Sequence, residues 1–280
     1  MRLIPTETTM LRVQLFGSFA MEQERPIDLA IGKTGRQLAS YLFSFPNKPH
    51  RREKLLDLFW CESDADQARG ALSTALWRIR RQMPDELKSV LELRANSREI
   101  CLDLMDPDIV DVHRFHSTTK KAFCSNIHVT DFEALDRAAS LHKAPFLEEY
   151  DEDWVLELRE RLQSLYLRSL THLMRWHAQE KRYEDALAYG QKILSSDPMR
   201  ETVQRSVMLL YVLNGQRAEA IRQFRRCETA LRSECDVDPM PETTDLFMLM
   251  KSDAIFQKLS QLVEKELIPS ADGPVRVPPV

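Results

Sequence analysis

Glycine is scarce in this chain of 280 residues: there are seven, beside abundant Leu, Ala, Glu and Arg, a balance that favours helices. Charge of one sign is not in excess either. The net charge of −4 argues against a uniformly basic coat for nucleic acid. The five cysteines, Cys61, Cys101, Cys124, Cys227 and Cys235, form no CxxC and no even-numbered framework. They read as free thiols in a reducing compartment. No apolar run reaches the roughly 18 residues needed to span a bilayer. The opening MRLIPTETTM lacks the long apolar core of a signal peptide, so a cytoplasmic protein without membrane association is expected. No GxxxxGK[ST] phosphate loop, nucleophile elbow or paired acid/base set is present. His113 with His116, and His172 with His177, are the only close histidines, and neither pair has the Cys or carboxylate company of a known metal site. The acidic run Glu148–Asp153 reads as loop and helix N-terminal charge. The expectation is no enzyme, no cofactor and no metal.

What is there centres on Asp64–Met83, DADQARGALSTALWRIRRQM. At about 100° per residue, Ala68, Leu72, Ala75, Ile79 and Met83 share one stripe with Leu76 at its edge, which predicts an amphipathic helix. Its opposite face carries Gly70, Ser73, Thr74, Trp77 and Arg81, flanked by Arg69, Arg80, Gln67 and Arg78. From Gln67 to Met83 there are four arginines and no acid. Hydroxyls, arginines and an indole suit a DNA groove. The plainer alternative is a solvated face, which an outward Trp fits poorly.

The flanking segments give this helix a place. Leu11, Val13 and Leu15 alternate with polar residues up to Gly17, Phe19 and Met21 continue the pattern, and Pro26–Leu29 suggests another short strand. RQLASYLFSF (36–45) and RREKLLDLFW (51–60) have helical spacing. Val90–Leu93 and Glu99–Leu104 alternate around the polar turn Arg94–Arg98, which makes a β-hairpin. Strands, three helices and a hairpin in this order form a winged helix-turn-helix, with Asp64–Met83 in the recognition position and the hairpin as wing. Charge is distributed accordingly: within 33–98 there are 13 basic and 8 acidic residues. That local excess favours phosphate binding.

From Asp106 onward the pattern is helical. Asp111–Phe123 and Asp131–His142 read as helices joined by a polar loop, and a long helix begins near Trp154. KRYEDALAYGQKILSSDP (181–198) and GQRAEAIRQFRRCETALR (215–232) then align at a spacing of 34, with Ala186 over Ala220 and Ile193 over Cys227. Thirty-four is the tetratricopeptide period. FEALDRAASLHKAP (132–145) resembles another, weaker second helix of such a repeat, and a helix from Glu242 to about Glu266 closes the array. The expected protein is mainly α with a small β component: a winged helix-turn-helix DNA-binding domain over 1–107, a tetratricopeptide-like α-helical array over 108–266, and a Pro-rich disordered tail over 267–280.

Three groups of residues resemble the SARP-type bacterial transcriptional activators: LRVQLFGSF, the passage from KLLDLFW to ARGALSTALWRIRR, and a second half with FLEEYDEDWVLELRERL, DPMRETVQRSVMLLYVLNGQRAEAIRQF and the late DVDP-x-PET run. The resemblance spans about residues 10–260. It implies an OmpR-like winged helix reading direct repeats in double-stranded promoter DNA, followed by a bacterial transcriptional activation domain. It also implies copies self-associating side by side on DNA, with RNA polymerase recruited through its sigma factor or alpha subunit. Carried over, the recognition helix is Gln67–Met83, the wing Arg94–Arg98, and the polymerase-contact loop Cys61, Glu62, Ser63, Asp64, Ala65 and Asp66. The family commonly has a Trp-Pro pair entering that loop, where this chain has Trp60-Cys61-Glu62.

The candidate DNA-contacting residues are Arg69, Ser73, Thr74, Trp77, Arg78 and Arg81 on the helix, Arg94 and Arg98 on the hairpin, and Arg51 and Arg52 at the preceding helix start. Arginines at those places can read guanine or meet phosphate, and sequence does not sort the two roles. Two other functions use the same architecture: a repressor that occludes polymerase, and a tetratricopeptide-type interaction scaffold that has lost DNA binding. The second would predict an arginine-free face on Asp64–Met83, which this chain does not have.

Overall fold

The computed structural model describes residues 11–125, 128–129 and 131–268. The first ten residues and the expected tail from 269 to 280 lie outside them. The chain divides into two compact units, one formed by residues up to 118 together with 140–162, the other by 119–139 and residues from 163 onward.

In the first unit, β1 (Arg12–Gln14) pairs antiparallel with β2 (Ala20–Glu22) across a turn in which Gly17 takes φ +91°, a conformation open to glycine. Leu11, Val13, Leu15, Phe19 and Met21 are buried, as their alternation predicts. The strand expected at Pro26–Leu29 does not form. An isolated bridge joins Glu22 to Pro26, and Ile27 donates to the Met21 carbonyl at 2.8 Å. Pro26 has no N–H with which to continue a ladder. Helix α1 (Gly32–Ser44) buries Leu38, Leu42 and Phe43 and stops before Pro46.

A three-stranded sheet follows, ordered β3 (His50–Arg51), β5 (Glu99–Leu104), β4 (Leu91–Ala95). β3 pairs His50 with Ile100, so these two residues form an edge strand ahead of α2 (Arg52–Phe59) and not the helix start that their sequence suggests. α2 buries Leu55 fully, with Leu56, Phe59 and Trp60 half-buried. Helix α3 (Ala65–Gln82) begins two residues before the predicted recognition segment, which shortens the connection from Trp60 to the four residues 61–64. Ala68, Leu72, Ala75, Leu76 and Ile79 are buried; Met83, at the C-terminal cap, is half-buried. Arg80 fixes α3 against the hairpin: its Nε and Nη2 both donate to the Leu93 carbonyl, at 3.2 and 3.0 Å.

Asp111 opens α4 (Asp111–Ala122) and joins it to the first hairpin. Its carboxylate accepts from the backbone N–H groups of Leu15 (2.9 Å), Phe16 (3.1 Å) and Val112 (2.7 Å). Burial lifts its pKa to about 6, against the pull of those three donors. Further along, Arg159 gathers the carbonyls of Phe146, Leu147 and Tyr150 at 2.6–2.8 Å, holding a turn in which Leu147 has φ +43°.

In the second unit, a small antiparallel pair, β6 (Phe123–Ser125) and β7 (His128–Val129), replaces the expected polar loop. Phe123 pairs with Val129 there, a β-favouring couple that a helical reading overlooks. After α5 (Phe132–Ala139) come α6 (Asp153–Gln179), whose first turns belong to the first unit, α7 (Tyr183–Ser196), α8 (Glu201–Leu213) and α9 (Arg217–Cys235). α8 packs against both α7 and α9, and the repeat-aligned Ala186, Ala220, Ile193 and Cys227 are all fully buried. At Gly190 α7 lies close to its neighbours: a Cβ there would sit 2.5 Å from Val207 Cγ2 and 3.2 Å from Met174 Sδ. The single closing helix expected over 242–266 is two helices, α10 (Pro241–Met250) and α11 (Ala254–Leu267). The Met250 carbonyl, which Ala254 would need in a continuous helix, accepts instead from Arg217 Nε, while Arg217 Nη1 pairs with Asp253 at 3.2 Å.

Three measurements check this packing. Gly190→Ala is expected to destabilise the protein by about 1–3 kcal/mol in urea unfolding, because the added methyl must displace Val207. Arg80→Ala should cost about 1 kcal/mol and speed amide hydrogen exchange along Leu91–Ala95. For Asp111, the folded carboxyl holds its proton more tightly than the unfolded one. Its stabilising contribution is therefore complete below about pH 4 and lost as pH rises through about 6. The stability of the native protein minus that of Asp111→Asn should fall by about 2 kcal/mol between pH 4 and 7.

Candidate nucleic-acid interface

Burial of one stripe of α3 leaves its other side in solvent. Arg69, Gly70, Ser73, Thr74, Trp77, Arg78, Arg80 and Arg81 are all exposed, and Trp77 presents 54% of its surface. The Arg81 guanidinium lies over the Trp77 ring, its carbon 4.9 Å from the ring centroid, one helical turn along. An exposed indole and a stacked guanidinium form a flat, donor-rimmed plate. The hydroxyls of Ser73 and Thr74 donate back to the carbonyls of Arg69 (2.8 Å) and Gly70 (2.9 Å), which leaves the Thr74 oxygen free to accept from outside.

Other arginines of the region are engaged by partners within the protein. Arg52, the first residue of α2, donates to Ser73 Oγ at 3.2 Å and to the Asn96 carbonyl at the hairpin tip at 3.3 Å. One guanidinium thus ties α2, α3 and the wing together. Asn96 shapes the tip itself, its Oδ1 accepting from the N–H groups of Arg98 and Glu99, both at 2.8 Å. Arg94 forms a two-point pair with Asp103 across the hairpin, with Nη2 to Oδ1 at 2.7 Å. The pair holds the Asp103 carboxyl below its usual range and raises Arg94. Arg69 pairs with Asp66 at 2.6 Å. Arg51, Arg78 and Arg98 remain exposed, with no carboxylate among the described residues at ion-pair distance.

The ten candidate DNA-contacting residues therefore gather on one region, α3 with the α2 start and the wing, but in two roles. Arg51, Thr74, Trp77, Arg78, Arg81 and Arg98 are presented to solvent. Arg52, Ser73 and Arg94 carry internal contacts, and Arg69 is shared with an acid. The positioning roles of Arg80, Asn96 and Asp103 were missed by the sequence reading. Asp103 was in principle accessible, since the strand register sets Arg94 opposite Cys101 and brings Asp103 to the adjacent same-face position. Of the loop Cys61–Asp66, residues 61–64 form an exposed turn closed by Ser63 N–H to the Trp60 carbonyl at 3.0 Å, whereas Ala65 and Asp66 belong to the first turn of α3.

Among the described residues, no three His, Cys, Asp or Glu side chains gather as a metal site, and no helix is long and apolar enough to cross a membrane. His113 is used in packing, its Nε2 3.0 Å from the Phe43 carbonyl and its pKa lowered by burial. His177 lies 3.5 Å from Asp185.

Comparison with known proteins adds the following. Residues 110–250 match the family described as bacterial transcriptional activator domain. The fold is similar to that of Mycobacterium tuberculosis EmbR, solved in complex with a low affinity phosphopeptide, with a TM-score of 0.65 and 19% sequence identity over 90% of this chain and 69% of that one. No curated protein matches the sequence. The family match spans 141 of the 280 residues, half of the chain, beginning one residue before α4 and ending with α10. With a match over half of its length, the chain belongs to the bacterial transcriptional activator domain family, here preceded by a winged N-terminal region.

Proposed function

We propose that this activator binds direct repeats in double-stranded promoter DNA through residues 1–107 and recruits RNA polymerase to the adjacent promoter. In this reading residues 108–266 act as the activation region, and the protein works in the cytoplasm without a cofactor. The observation that carries the reading is the outward face of α3, where Trp77, Arg78 and Arg81 stand exposed on the third helix of a winged fold. α3 enters the major groove, and the hairpin tip with Arg98 meets the neighbouring backbone or minor groove. Arg51, at the edge strand before α2, reaches a phosphate. The exposed turn Cys61–Asp64 with Ala65 and Asp66 faces sigma or alpha of the polymerase. Side-by-side occupancy of two repeats needs no stable dimer in solution, so self-association is expected on DNA only.

Gel-shift titration of the full chain against its own promoter region tests the DNA contact. Binding that weakens steeply with salt is expected, as is loss of most of it in Arg78→Ala/Arg81→Ala. Absent or salt-insensitive binding would overturn the reading. In vitro transcription on the bound promoter should rise when the protein is added; a fall would replace the activator by a repressor.

A further inference from the structure

The exposed arginines of α3 are not equivalent. At about 100° per residue, the direction opposite the buried stripe Ala68–Leu72–Ala75–Ile79 is occupied by Gly70, Trp77 and Arg81, each within about 30° of it. Arg78 stands roughly a quarter-turn to one flank, and Ser73, Arg80 and Arg69 stand on the other. The second flank is the one that faces α2 and the wing, since Arg52 reaches Ser73 and Arg80 reaches the Leu93 carbonyl. A helix inserted in the major groove points its outermost residues at the base edges on the floor and its flanks at the phosphate walls.

Arg81 is also prepared for the floor. Its guanidinium carbon lies over the Trp77 ring, 4.9 Å from the centroid, which restrains the side chain and leaves its N–H fork without an acceptor among the described residues. That fork matches the paired acceptors of guanine in the major groove. The indole beside it is a flat apolar surface of the kind that contacts a thymine methyl. Ser73 has both its hydroxyl proton and a lone pair engaged, by the Arg69 carbonyl and Arg52, so little remains for a base.

We infer that Arg81, steadied by Trp77, is the base-reading arginine of this helix, taking a guanine with the indole against the methyl of a neighbouring thymine. Arg78 anchors a phosphate on the wall away from the wing, and Ser73 and Arg80 position the helix without touching DNA. This sorting rests on the DNA-binding reading above.

The test selects genomic fragments bound by the full chain, then titrates the best site and unrelated DNA at several salt concentrations. Arg81→Ala is expected to cut the preference for the selected site by about tenfold or more while leaving the salt slope nearly unchanged, and Arg81→Lys should not restore that preference. Arg78→Ala should weaken both DNAs alike and lower the slope of log K against log salt by about one, with Arg78→Lys retaining most of the affinity. Replacing thymine by uracil along the site removes one methyl at a time. At one position this should weaken the wild type several-fold and leave Trp77→Ala unaffected. If the wild type binds but Arg78→Ala and Arg81→Ala lose affinity equally on both DNAs with equal changes of slope, the inference falls and the DNA reading stands. If the wild type prefers no fragment over unrelated DNA, the DNA reading falls and takes this inference with it.

Discussion

The interface depends on one constraint, the burial of Ala68, Leu72, Ala75, Leu76 and Ile79 along a single side of α3. Those five side chains fix the rotation of the helix about its axis, and that rotation decides which residues are presented outward. Burying Leu72 and Ile79, each nearly inaccessible to solvent, stabilises this orientation by about 1.5–3 kcal/mol per side chain. A helix held in that way can carry an exposed Trp and an exposed Arg in its middle, because neither is needed for packing. The two braces, Arg52 to Ser73 and Asn96, and Arg80 to Leu93, then set the wing at a defined place beside the helix.

Apart from those paired with an acid, such as Arg94 with Asp103 and Arg69 with Asp66, arginines of the first unit are used in two physically distinct ways. Where acceptors cluster, one guanidinium supplies several N–H groups in fixed directions: Arg159 to three carbonyls, Arg80 doubly to one, Arg52 to a carbonyl and a hydroxyl. Where no such acceptor is near, at Arg51, Arg78, Arg81 and Arg98, the charge is left to the solvent side. A net charge of −4 over the whole chain is therefore compatible with a locally cationic face. The repeats of the second unit use the opposite economy, with small or compact residues at Ala186, Gly190 and Ala220 letting α7, α8 and α9 approach closely.

Features generated by local periodicity were readable before any coordinates. The stripe on α3, the alternation at Leu11–Leu15 and the 34-residue offset of Tyr183 from Arg217 each repeat at a spacing set by backbone geometry. Features generated by a single distant partner were not. Arg52 looked like a phosphate ligand at a helix start, and only the turn that brings Asn96 and Ser73 to it shows its internal role. Arg94 appeared free until the hairpin register set Asp103 beside it. The break between α10 and α11 has no proline or glycine to mark it, because it is made by Arg217 of α9 capturing the Met250 carbonyl. β3 is too short for periodicity to declare and exists because β5 offers His50 an edge.

The central claim is that the outward face of α3 occupies the major groove of promoter DNA. Methylation interference tests it most directly, because methylation of guanine N7 adds a group in the major groove alone. Full-length protein is mixed with sparsely methylated promoter fragments, and bound and unbound DNA are compared. The account predicts that methylation of at least one guanine in each direct repeat excludes the fragment from the bound fraction. Binding that proceeds equally well on fragments methylated at every guanine of the site would contradict it.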